Sequence, residues 1–117
     1  KPTLCEIGGA SAGACDGRSL VPFLEGKEEL EQKPAYIQYS GNPSYGTIRR
    51  AVVTERYKYI YDSSHAHELY DLEKDPHEMN NVADDPRYET VLKELYEACK
   101  RFHQDHQDYF DWEGKRK

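Results

Sequence analysis

Between Ala35 and Leu72 the chain carries four short stretches in which apolar and polar residues alternate, joined by connections of a few residues. Alternation is the mark of a half-buried strand. Parallel neighbours need a crossover of a dozen residues or more, so connections this short make successive strands antiparallel. The first strand is Ala35 to Tyr39, the second Ile48 to Thr54, the third Tyr57 to Tyr61 and the fourth Glu68 to Leu72. Gly41-Asn42-Pro43-Ser44 has loop chemistry, Glu55-Arg56 suits a tight hairpin, and Asp62 to Ala66 turns the chain.

The period then changes. Asp75-Pro76-His77-Glu78 has the form of a capped helical turn, with Asp75 as cap, Pro76 at the first helical position and Glu78 where a capping box places its carboxylate. Asp85-Pro86 repeats the cap-plus-proline start. Tyr88, Val91, Leu92, Leu95, Cys99, Phe102 and His106 follow at three- and four-residue spacing. That spacing predicts one amphipathic helix over residues 86–108, its apolar stripe covering one face of the sheet. The fold class is therefore α+β, a small four-stranded antiparallel sheet packed by a long C-terminal helix. Residues 1–34 precede it: a helical turn at Pro2 to Ile7 ended by Gly8-Gly9, a small-residue loop, and a short apolar helix at Ser19 to Leu24 stopped by Gly26. Gly114 to Lys117 is expected to be a disordered tail.

Composition limits what such a chain can do. Phe, Ile, Leu and Val number 20 among 117 residues, below the roughly 20% under which a charged chain is suspected of disorder. Ten tyrosines raise the core-capable count to 30. The core is expected to be thin. A net charge of −6 with no basic cluster argues against nucleic acid as a ligand. No apolar run approaches the roughly 20 residues of a membrane span. The first residue, Lys1, and the lack of a preceding leader lead to the expectation of a processed or excised chain. Cys5, Cys15 and Cys99 contain no CxxC pair and read as free thiols. Asn42-Pro43-Ser44 fails as a glycosylation triplet because proline occupies its middle position.

Short motifs offer little chemistry. Gly9-Ala10-Ser11-Ala12-Gly13 matches GxSxG, but a nucleophile elbow needs a buried strand before the serine and a helix after it, and neither flank qualifies. His65 and His67 would share a strand face, and His103 and His106 a helix face. Neither pair has a cysteine set or HExxH spacing, so no metal site is expected. Tyr57, Tyr59 and Tyr61 share one sheet face and read as core, the alternative being a stacking strip for sugars or bases. Arg49 and Arg50 point to opposite faces, so at most one can meet a given ligand.

Residues Glu68 to Ala83, ELYDLEKDPHEMNNVA, closely resemble the ELYDLxxDPxExxNLA segment of the formylglycine-dependent sulfatases, hydrolases of the alkaline-phosphatase superfamily. Arg50 to Ile60, RAVVTERYKYI, is similar to that family's RxVRTxxYKYI strand pair. Pro2 to Gly9 followed by Asp16 to Leu24 is similar to its PTLLELAG…DGRSLxPLL segment. The matches occur in family order and cover most of residues 2–85. The sequence departs from the pattern at Val53, where arginine is common, and at His77, which replaces a frequent glycine and argues against a left-handed backbone there.

The resemblance implies a division of labour. Residues 1–34 would be the tail of the large N-terminal domain and a linker, and residues 35–113 the C-terminal subdomain. The family's CxPxR nucleophile motif fits none of Cys5, Cys15 and Cys99. Formylglycine and calcium are therefore expected in the missing N-terminal domain, with no catalytic or metal-binding residue in this chain, and the fragment alone is expected to be inactive. Its partners would be its own N-terminal catalytic domain and, in the parent, a sulfate-ester substrate. The implied role is to complete the fold and line the substrate pocket, with Tyr45, His65, His67 and Arg50 as the candidate contacts, from the loop around Ser44, Tyr45 and Gly46 and the turn around His65 and His67. A phosphoesterase or phosphonate hydrolase of the same superfamily is the nearest alternative. A stand-alone module binding through its tyrosine-rich sheet is another. The family suggests a periplasmic or secreted location.

Overall fold

The computed structural model describes residues 1–15, 17–29, 33–41, 48–63, 66–109 and 112. The chain divides into two compact units, Lys1–Gln32 and Lys33–Lys117. The first holds helix α1 (Pro2–Ile7) and helix α2 (Val21–Leu24). Proline opens both, where its missing N–H costs nothing. The Thr3 hydroxyl accepts from the Leu20 amide at 3.0 Å, tying the start of one helix to the start of the other.

The second unit is a sheet of four strands in sequential antiparallel order: β1 (Ala35–Tyr39), β2 (Arg49–Val53), β3 (Tyr57–Asp62) and β4 (Glu68–Asp71). Helix α3 (Glu89–Asp105) packs on one face. The register sets Tyr36 opposite Val52, Val52 opposite Tyr59 and Tyr59 opposite Leu69. That cross-strand row meets Leu95 and Cys99 of α3 and the side chain of Trp112, forming the core. Tyr59, Leu69 and Cys99 are fully buried. Removing the Leu69 side chain beyond its Cβ would cost about 2–5 kcal/mol. All three cysteines are free thiols, and burial pushes the Cys99 thiol up to about 12.

The strand order and the single long helix agree with the sequence reading, but two details are corrected. Residues 75–78 form a single hydrogen-bonded turn, with the Glu78 amide on Asp75 O at 3.1 Å, and no helix follows it. Asp75 accepts from the Asn80 amide at 2.7 Å. Glu78 adopts a left-handed backbone, φ 55°, and its carboxylate goes to Lys58 at 2.6 Å in place of capping. His77 itself is not among the residues with positive φ. The long helix also begins later and ends earlier than its pattern suggested. Asp85 caps a 3-10 turn at Pro86–Tyr88 by accepting from the Arg87 amide at 2.9 Å, and α3 starts at Glu89.

The far end of α3 closes as a Schellman motif, the Gln107 amide on Gln104 O at 3.1 Å and the Asp108 amide on His103 O at 2.9 Å. Gln107 takes the left-handed position usually given to glycine, φ 57°. The apolar spacing runs on to His106, so the stop is invisible to a pattern that lacks a glycine.

Candidate functional site

Antiparallel order sends the β1–β2 and β3–β4 connections to the same end of the sheet. Tyr39 lies opposite Arg49, and Arg49 opposite Asp62. The bases of the two loops are bonded to each other: the Ile48 amide donates to Ser63 Oγ at 3.1 Å and the Ser63 amide to Ile48 O at 3.0 Å. Arg49 Nε donates to Asp62 Oδ2 at 2.8 Å on the face away from α3.

On the helix face Arg50 is the anchor. Its Nε and Nη2 donate to the two oxygens of Asp108 at 2.6 and 2.8 Å, and Nη1 donates to the carbonyls of Tyr39 and Arg49 at 3.0 and 2.8 Å. The side chains of Arg50 and Asp108 are 0% and 2% exposed. His103 lies beside them, Nδ1 3.8 Å from Asp108 Oδ2, and burial and the nearby Arg50 charge hold its pKa below the usual histidine range. The Schellman turn delivers Asp108 to this point.

Of the four residues singled out from sequence, Tyr45 and His65 lie outside the described residues. Arg50 sits at the loop end, buried beneath it with its guanidinium turned to Asp108. His67 is half-buried, and Tyr59 Oη is hydrogen bonded to its Nδ1. Burial pushes the Tyr59 pKa up, so the phenol keeps its proton. Burial also lowers the His67 pKa.

The rings around His67 are packed against one another. Tyr61 is 5.2 Å and Tyr96 6.0 Å from the imidazole, and Tyr61 is 4.7 Å from Trp112, centroid to centroid. A cation held between two rings needs each face within about 6 Å of it, and rings in direct contact leave no such space. The cluster is a support for the loop base.

Asp108 carries no sequence signal, because it lies past the helix stop. Ser11, the centre of GxSxG, accepts from the Gly13 amide at 3.3 Å in an exposed loop, without the strand and helix of an elbow. Among the described residues no three His, Cys, Asp or Glu side chains converge as a metal site would need. No helix of the described residues is long and apolar enough to cross a membrane.

Residues 1–105 match the family model described as N-sulphoglucosamine sulphohydrolase, C-terminal. The chain belongs to this C-terminal family of sulfatases. Among the relatives of this sulfatase domain is the Delta 4,5-hexuronate-2-O-sulfatase of Bacteroides thetaiotaomicron, 38% identical over 80% of this chain and 20% of that protein. The choline-sulfatase of Rhizobium meliloti is 37% identical over 74% of this chain and 17% of its own length. A solved putative sulfatase from Bacteroides thetaiotaomicron superposes with a TM-score of 0.81 at 32% identity, covering 92% of this chain and 24% of that one. The chain thus spans about a fifth to a quarter of the proteins it matches.

Within the sulfatase domain the ELYDL…DPxExxN segment has a structural explanation. Asp71 is buried and accepts from Arg56 at 3.1 and 3.3 Å and from the Tyr88 hydroxyl at 3.2 Å. Arg56 above all, with Tyr88 and Lys74, holds its carboxyl at about 2. Asn81 seals the outer edge of β4: its Oδ1 accepts from the amides of Leu69 and Ala83 at 2.9 and 3.0 Å, and its Nδ2 donates to His67 O at 3.1 Å. An edge strand so covered cannot pair with another chain.

Proposed function

We propose that this chain is the C-terminal subdomain of a sulfuric ester hydrolase, completing the fold of a large catalytic domain and forming one wall of its substrate pocket. The supporting observation is the convergence of the 40–48 and 63–67 connections at one sheet end, with their bases bonded together and the Arg50–Asp108 pair fixed beneath them. A wall must hold still to discriminate substrates, and bases bonded to each other lower the entropic cost of holding it.

Formylglycine and calcium, borne by the large domain, would supply the nucleophile and neutralise sulfate charge. The residues described here do not gather a donor set for calcium, so no step of the reaction is assigned to them. The role left to Tyr45, His65 and His67 is contact with the alcohol part of the ester. Arg50 acts as a positioning residue. The chain alone would turn nothing over, and a periplasmic or secreted site would suit a parent acting on external sulfate esters.

A second reading keeps the fold and changes the ester. The phosphonate monoester hydrolase of Agrobacterium radiobacter superposes with a TM-score of 0.69 at 30% identity. The multifunctional alkaline phosphatase superfamily protein PehA of Trinickia caryophylli is 32% identical over 92% of this chain.

The test is the intact gene product assayed on 4-nitrophenyl sulfate, phenyl phosphonate esters and a sulfated saccharide. The sulfatase reading expects the highest kcat/KM on a sulfate ester, and preference for the phosphonate would replace it with the second reading. Tyr45→Ala and His65→Ala are expected to raise KM for the saccharide and leave aryl sulfate turnover unchanged. Equal loss on both substrates would refute a wall role.

A further inference from the structure

A cleft of about 410 Å³ opens between β1 and the C-terminal end of α3. Tyr36 and Gln38, two apart on β1, share the face turned to the helix. Phe102, His103 and His106 come from the last turns of α3, and the left-handed Gln107 turns the chain so that Asp108 and Tyr109 close the far side.

The lining chemistry is specific in what it offers. Tyr36, Phe102 and His106 form a stack of three flat rings, with centroids 3.7 and 4.1 Å apart. His106 Nδ1 is 2.7 Å from Phe102 O and must be the donor to that carbonyl, which leaves Nε2 of the neutral ring as an acceptor. His103 is 4% exposed and its Nε2 has no hydrogen-bond partner among the described residues. The side-chain amides of Gln38 and Gln107 each bring donors and an acceptor, and neither is bonded within the described structure. Asp108 has both oxygens on Arg50, so its charge is matched.

Among the described lining residues there is no lysine or arginine, and a sulfate group calls for such a cation. Unbonded amides and imidazole acceptors beside flat aromatic rings instead suit a neutral ring that carries hydroxyl groups. We propose that this cleft is a saccharide-binding site that takes an unsulfated sugar unit. Its volume lies at the lower end of small-molecule pockets, about 300–1,000 Å³, which limits it to one or two sugar rings. The inference stands on the cleft's own residues and does not require the sulfatase reading. If both hold, the cleft would tether a neighbouring unit of the same glycan whose sulfate ester is cleaved elsewhere.

The experiment is isothermal titration of the intact gene product with cellobiose, lactose and N,N′-diacetylchitobiose, with inorganic sulfate as the control. At least one disaccharide is expected to bind with a Kd of about 1 mM. Gln38→Ala and His106→Ala, both at exposed positions, are each expected to weaken it about 3- to 10-fold, the size of one lost hydrogen bond. Turnover of 4-nitrophenyl sulfate should be unchanged in both variants, which shows that they remain folded. Absence of disaccharide binding, binding that both variants retain, or displacement of the sugar by sulfate would each overturn the proposal. Failure of aryl sulfate turnover with variant-sensitive sugar binding intact would sink only the sulfatase reading.

Discussion

Arg50 and Asp108, 58 residues apart in the chain, form a two-pronged ion pair at 2.6 and 2.8 Å with both side chains out of contact with water. It joins the start of β2 to the segment that follows α3, so the helix end is fixed to the sheet by charge as well as by packing. Two charges in that setting stabilise only as a pair, because each would be stranded without the other.

Asp108→Asn is therefore expected to destabilise the second unit by about 3–5 kcal/mol in urea unfolding, as removal of one partner of a buried pair does. Arg50→Leu should cost a similar amount. The double variant should cost clearly less than the sum of the two. Additive losses would show that the pair is not coupled and that Arg50 is held by the Tyr39 and Arg49 carbonyls alone.

Much of this architecture was legible in the residues because it depends on period. The alternation at residues 35–39 and 57–61 and the three-to-four spacing of Val91, Leu95, Cys99 and Phe102 are consequences of which side faces the core. The Asp108 contact was not legible, because it is set by a left-handed residue, Gln107, at a place where sequence rules look for glycine or asparagine. The turn at residues 75–78 misled for a related reason. Asp75, Pro76 and Glu78 are good helix starters, but the backbone bonds of Asn80 and the ion pair to Lys58 bind these groups elsewhere. Arg50 was singled out without its partner. Its number in the strand gave the face it points to, and only the tertiary structure supplied the carboxylate.

Asn81 holds three backbone groups with one side chain. Asn81→Ala should cost about 2 kcal/mol, since each net hydrogen bond contributes about 0.5–1.5 kcal/mol and the losses are partly compensated by water. Hydrogen exchange would locate the effect, with faster exchange of the Leu69 and Ala83 amides. Asn81→Asp keeps the acceptor and loses the donor, so those two amides should stay protected. Equal exchange in both variants would mean that β4 is held by its core contacts and not by this clamp.

Gln107 adopts φ 57° as the left-handed residue of a Schellman turn. A side chain there carries strain that glycine lacks, about 1 kcal/mol on the usual scale. Gln107→Gly is expected to raise the urea midpoint of the second unit by the equivalent of about 0.5–1 kcal/mol with an unchanged slope. A lower midpoint would mean that the Gln107 side chain makes a stabilising contact that outweighs the backbone gain.

Acid should act on this domain in two separate steps. Burial lowers the pKa of His67, and burial with the Arg50 charge lowers that of His103, which also faces Asp108 and His106. Their neutral forms fit the fold, so the stability they contribute is complete above the unfolded histidine value of about 6.5 and is lost as pH falls through it. Asp71 behaves as a depressed carboxylate held at about 2 by Arg56, Tyr88 and Lys74. Its contribution is complete above the unfolded aspartate value of about 3.9 and is lost between there and pH 2. Thermal unfolding from pH 8 to 2 should therefore show one decline in Tm that sets in as pH falls below about 7 and another below about pH 4. A His67→Gln, His103→Gln variant should flatten the first decline and leave the second. Asp71→Asn should do the reverse, at a lower Tm throughout. A first decline that survives removal of both histidines would assign it to groups other than these two buried rings.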